Sequence, residues 1–113
     1  MAQYLIQASY TSEAWAAQIA NPQDRTQILK PVIERLGGKI IQFWLAFGDY
    51  DIVGIVELPD NVGAAAFSLA GSAGGAVKAI KTTPLLSIAE GLEAMRKAAT
   101  CGYQAPKLAA AAG

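Results

Sequence analysis

Residues 47–57 read Phe47-Gly48-Asp49-Tyr50-Asp51-Ile52-Val53-Gly54-Ile55-Val56-Glu57, and this stretch decides the fold. Gly48 and Asp49 are turn formers, while the β-branched residues that follow favour a pleated strand. Upstream, Lys39 to Phe47 is rich in Ile, Phe and Trp and reads as another strand. The two runs predict a β-hairpin, with strand two over Lys39–Phe47, a tight turn at Gly48-Asp49, and strand three over Tyr50–Leu58.

Working outward, Tyr4 to Tyr10 reads as strand one, with Tyr4, Ile6 and Ala8 on one face and Leu5, Gln7 and Ser9 on the other. Thr11 and Ser12 offer N-cap oxygens for a helical turn through Trp15 and Ile19, which Asn21-Pro22 interrupts. A second helical piece from Asp24 presents Ile28, Leu29, Val32, Ile33 and Leu36 at helical spacing and ends at Gly37-Gly38. Pro31 inside it predicts a kink. Downstream, Asp60 caps a helix through Val62, Ala66, Phe67 and Leu69, which the glycines at 71, 74 and 75 end. Val77–Thr83 is a fourth strand closed by Pro84, and Ser87-Ile88-Ala89-Glu90 has capping-box spacing for a last helix carrying Ile88, Leu92 and Met95. The order β, α, β, β, α, β, α predicts an α+β, ferredoxin-like split βαβ domain over residues 1–100, with a four-stranded antiparallel sheet and an added C-terminal helix. An alanine-rich tail, 101–113, follows.

At 113 residues the chain fits one domain. Charged residues make up 16%, below the usual share of about a quarter, and apolar residues 53%. That much apolar surface in so small a domain predicts self-association. Nine basic residues balance nine acidic ones, which argues against nucleic acid or an anionic membrane surface as a partner. The amino terminus has neither a basic nor an apolar leader pattern and no apolar run is long enough to span a bilayer, so a cytoplasmic protein is expected. There is one cysteine and no histidine, which removes Ser-His and Cys-His catalysis and the usual zinc, iron and haem ligand sets. No cofactor and no metal are expected.

The hairpin Gly48-Asp49-Tyr50-Asp51-Ile52-Val53, preceded by Leu36-Gly37-Gly38-Lys39 and followed by Glu57-Leu58-Pro59-Asp60, resembles the GYD domain family, named for a Gly-x-Tyr-Asp signature. Ala66-Phe67-Ser68-Leu69 and Lys81-Thr82-Thr83-Pro84 look like that family's second helix and fourth strand, so the likeness covers roughly Tyr4 to Met95. Pro31 and the tail after Thr100 depart from the pattern. The resemblance implies a dimeric α+β barrel, in which two ferredoxin-like sheets face each other, and implies no particular reaction.

Several residues invite a functional reading. Tyr4, Tyr10, Gln42 and Trp44 each join an apolar body to a polar handle, the mixture that lines ligand cavities, here between two sheets; the alternative is that each satisfies a nearby carbonyl. Tyr50 and Asp51, side by side at a sheet end, suit substrate orientation or proton acceptance, against a purely structural turn. Asp49, Asp51, Glu57 and Asp60 lie close in sequence, but strand alternation separates them, and they read as solvated charges rather than as a metal site. Strand two is apolar on both faces, with Ile40, Gln42 and Trp44 opposite Ile41, Phe43, Leu45 and Phe47, which calls for a covering sheet. Residues 61–77 carry no charge and suit a subunit contact. Phe43 and Trp44 provide stacking aromatics, but the basic Gly-rich pattern of RNA-binding sheets is missing. Cys101 has no activating neighbour beyond Arg96 and Lys97.

These features favour a non-enzymatic homo-oligomeric module, at least a homodimer, that binds a small molecule or serves as an assembly subunit. The alternative, by analogy of fold alone, is a cofactor-free monooxygenase or isomerase acting on a small ring compound, with Tyr4, Tyr10, Gln42, Trp44 and Tyr50 positioning it and Asp51 as base.

Overall fold

The computed structural model describes residues 1–107. It contains β1 (Ala2–Tyr10), α1 (Ser12–Ala20), α2 (Arg25–Arg35), β2 (Lys39–Leu45), β3 (Ile52–Leu58), α3 (Asn61–Ala73), β4 (Val77–Leu85) and α4 (Ile88–Thr100). The strands form one antiparallel sheet in the order β2-β3-β1-β4. This is the α+β ferredoxin-like fold. Residues Leu108 to Gly113, which include the alanine run of the expected tail, lie outside the described residues.

Local chemistry accounts for the helix ends. Thr11, Asp24, Asp60 and Ser87 each accept a backbone N–H from the first turn of α1, α2, α3 and α4 respectively. At the end of α2, the Gly38 N–H donates to the Ile33 carbonyl and the Gly37 N–H to that of Glu34, with Gly37 at φ +84°. This is the double bond of a Schellman ending, and it uses the left-handed conformation that glycine adopts without penalty. α2 continues through Pro31, which is exposed.

One face of the sheet carries the core. Tyr4, Ile6 and Ala8 of β1 and Ile52, Val56 and Leu58 of β3 are buried against Ile33 of α2 and Ala64 and Phe67 of α3. The larger of these, such as Ile6, Ile33, Val56, Leu58 and Phe67, each contribute about 1.5–3 kcal/mol by leaving water. Tyr4 keeps its hydroxyl satisfied by donating to Asn61 Oδ1 at 2.7 Å.

The structure corrects the expected strands in four places. The β2–β3 connection is not a two-residue turn: β2 stops at Leu45, β3 starts at Ile52, and the Ala46 N–H donates to the Asp51 carbonyl at 2.7 Å across the loop. Gly48 does not have positive φ, and a Cβ there would meet nothing within 4 Å, so this glycine is not forced by the turn. β4 runs through Pro84 to Leu85 because it is an edge strand, where a missing N–H can face away from the sheet. Alternation also breaks twice, since Ile41 in β2 and Lys78 in β4 are extra residues in the ladder. These bulges place Ile40 on the core face with Phe43, and Val77 with Ile80.

α4 stands apart from this core. Its capping box is formed, yet none of its side chains is buried, and Ile88, Leu92 and Met95 are exposed.

Candidate functional site

The carboxy-terminal end of β1 collects most of the molecule's polar chemistry. Asp51 Oδ2 accepts the Tyr10 backbone N–H at 2.8 Å and the Trp15 indole Nε1–H at 3.3 Å. Trp15 stands edge-on to the Tyr10 ring, with centroids 5.3 Å apart and planes at 77°, the geometry that sets a positive ring edge against a negative face. The Asp51 N–H donates to the Ala8 carbonyl, and the Ser9 hydroxyl donates to the Asp49 carbonyl. The signature loop is therefore tied to β1 by three hydrogen bonds and to α1 by a fourth, and three of the four involve Asp51.

Beside this latch a half-open cavity of about 260 Å³ lies between the core face of the sheet, α2 and α3. Ala8 and Ile52 form part of its floor, Leu29 and Val32 of α2 one wall, and Phe67 and Gly71 of α3 the other. Its polar side chains are those of Tyr10 and Arg25. A more open cleft of about 440 Å³ lies outside it, bordered by Trp15, Gln18, Asp24 and Trp44. Arg25, Phe43 and Ile52 border both spaces, so they form the partition between cavity and cleft.

Arg25 is the unusual member of this group. Its Nε is buried and has no hydrogen-bond partner, and among the described residues no carboxylate forms an ion pair with it. Asp24, its neighbour, is engaged in capping the Thr26 N–H at 2.9 Å. A buried donor left unpaired costs about 1–3 kcal/mol. The guanidinium also sits in the first turn of α2, where the helix dipole disfavours positive charge. Burial pushes the Tyr10 phenol above its ordinary pKa, and the nearby Arg25 charge offsets part of that rise.

The sequence-derived site residues divide between two faces of the sheet. Tyr4 and Tyr10 are buried on the core face, Tyr4 at the Asn61 end and Tyr10 at the cavity. Gln42 and Trp44 pair with Ile55 and Val53, whose neighbours Gly54 and Val56 point to the core, so both belong to the opposite face. Gln42 Nε2 donates to the Phe43 carbonyl at 3.0 Å, and Trp44 is 51% exposed. Tyr50 is half-buried in the loop and borders neither space, whereas Asp51 joins Tyr10 in the latch. Of the other acidic residues, Glu57 lies 4.0 Å from the Lys39 ammonium and Asp60 caps α3, while Asp49 is exposed. No group of three metal-ligating side chains converges among the described residues.

Arg25, Trp15 and Gly71 were not singled out by sequence as site residues. One signal was present for Arg25: a basic side chain directly after an N-cap aspartate works against the helix dipole and needs a compensating reason. Gly71 lies within α3, and a Cβ there would make only an ordinary 3.5 Å contact with Ile80.

Fold and site together define a ferredoxin-like α+β domain with a largely apolar, half-open pocket beside a tethered Gly-Asp-Tyr-Asp loop. The family model of the GYD domain matches residues 4–95, and the chain belongs to that family. Neither a curated protein nor a solved structure gives a match. Among the described residues no helix is long and apolar enough to cross a membrane.

Proposed function

We propose that this chain is a non-enzymatic, homo-oligomeric module of the cytoplasm that holds a small molecule between its sheet and its helices. The observation that carries the reading is the largely apolar cavity of about 260 Å³ with Tyr10 and Arg25 as its polar side chains. Apolar walls with few convergent polar groups are the usual makeup of a small-ligand site, and the modest volume suits a compact ligand. Self-association is supported by exposed Trp44, Leu45 and Phe47, the last 99% exposed, clustered at and just beyond the end of the edge strand β2. The exposed free thiol of Cys101 suits a reducing compartment.

The enzymatic alternative has less support, because Asp51, its general base, already accepts two N–H donors at Oδ2. The experiment is a thermal-shift screen of single-ring fragments against the wild-type chain and Gly71→Leu, which fills the cavity from α3, with light scattering on the same samples. Fragments that stabilise the wild type and not the variant, on a particle larger than a monomer, are the expected result. A monomer at micromolar concentration, or equal responses from both proteins, would defeat the corresponding half of the proposal.

A further inference from the structure

We infer that the cavity selects a small apolar monocarboxylate, whose anionic group binds Arg25 and whose hydrocarbon body fills the space between Ala8, Val32 and Gly71. The inference rests on the cavity reading above and adds the charge of the ligand. Three observations carry it.

First, the Arg25 Nε is a buried donor with no partner, on a side chain that borders the cavity. Protein interiors rarely leave such a donor unmade, so this one suits an acceptor that a ligand brings. Second, the nearby carboxylates are committed elsewhere: Asp24 caps α2, and Asp51 holds the Tyr10 N–H and the Trp15 indole. Among the described residues no carboxylate therefore neutralises the guanidinium, which lies beside the Tyr10 phenol, and its planar fork matches a carboxylate through paired N–H donors. Third, the cavity contains one phenol and one guanidinium and otherwise apolar walls, so it offers no second cation for a dianion and no acceptor array for a sugar. Arg25 also borders the outer cleft, which lets a ligand reach the guanidinium from solvent before its body enters the cavity.

The test uses benzoate and benzamide, nearly isosteric probes that differ in charge. Affinities are measured by calorimetry for the full-length wild type, Arg25→Gln and Arg25→Lys, with amide shift mapping to locate each probe. Benzoate is expected to bind the wild type about tenfold to a hundredfold more tightly than benzamide, the range set by a charge-assisted hydrogen bond. Arg25→Gln should abolish that preference by weakening benzoate far more than benzamide, and Arg25→Lys should retain part of it. The dispersion of the amide shifts reports that each variant is folded. Equal affinity of the two probes for the wild type, or a preference that survives Arg25→Gln, overturns the anionic class and leaves the cavity reading standing. Failure of both probes to perturb the cavity amides overturns both.

Discussion

The Asp51 carboxylate accepts the backbone N–H of Tyr10 at 2.8 Å, joining the start of β3 to the end of β1 across the signature loop. A second bond to the same oxygen, from the Trp15 indole, brings α1 into the latch. Hydrogen bonds to a charged acceptor contribute more than neutral ones, and removing the acceptor leaves two donors unpaired. Asp51→Ala is expected to cost about 1–3 kcal/mol of stability, and Asp51→Asn less because it keeps an acceptor oxygen. Urea denaturation of the three proteins measures this; an unchanged midpoint for Asp51→Ala would mean that the latch is not structural.

Gly54 lies beneath the ring of Phe43, and a Cβ added there would fall against Phe43 Cδ1 and 2.7 Å from the Gln42 carbonyl oxygen. The ring can rotate away, but the carbonyl belongs to the β2 ladder. Gly54→Ala is therefore expected to lose about 1–3 kcal/mol through overpacking. Combining it with Phe43→Leu should be non-additive, because the two side chains share one space. Thermal melts of the two single variants and the double variant check both statements.

The Glu90 carboxylate accepts the Ser87 N–H at 2.9 Å, and these bonds to its charged form hold its pKa below the ordinary range. A carboxylate with a depressed folded value stabilises above its unfolded pKa of about 4.3 and loses that contribution as the pH falls through the lower folded value. Because no side chain of α4 is buried, packing does little to mask this cap. Circular dichroism should show helix content falling on acidification through that window. Ser87→Ala, which removes the reciprocal bond, should lower helicity at neutral pH and weaken the acid transition.

The outer face of the sheet presents Leu5, Val53 and Ile55, all only half-buried, beside exposed Trp44. If this face associates between copies, Val53→Lys places a cation in its middle and should halve the mass of a dimer measured by light scattering. An unchanged mass would move the interface elsewhere, with the exposed face of α4 the next surface to test.

Much of this architecture was legible in the chain because its signals are local. The caps at Thr11, Asp24, Asp60 and Ser87, and the glycine pair after Leu36, are decided by nearest neighbours, and all formed where the residues pointed. Face assignment in the edge strands was not legible, since Ile41 and Lys78 add a residue to the ladder and nothing in their side chains announces a bulge. That one-residue slip is why Ile40 groups with Phe43 rather than with Trp44. The tight turn misled for a related reason: Gly48-Asp49 has turn chemistry, but the loop is closed farther out, by Ala46 with Asp51 and by ties to β1. The cavity depends on three separate segments meeting above Ala8, and no periodicity encodes such a meeting.

The most direct test of the account is an amide shift titration of the isotope-labelled full-length protein with benzoate. The account predicts perturbations centred on Ala8, Tyr10, Gly71 and Ala76, which are among the residues that line the cavity. Perturbations confined to Gln7, Val53 and Ile55 on the outer face, or none up to the solubility of the probe, would contradict it.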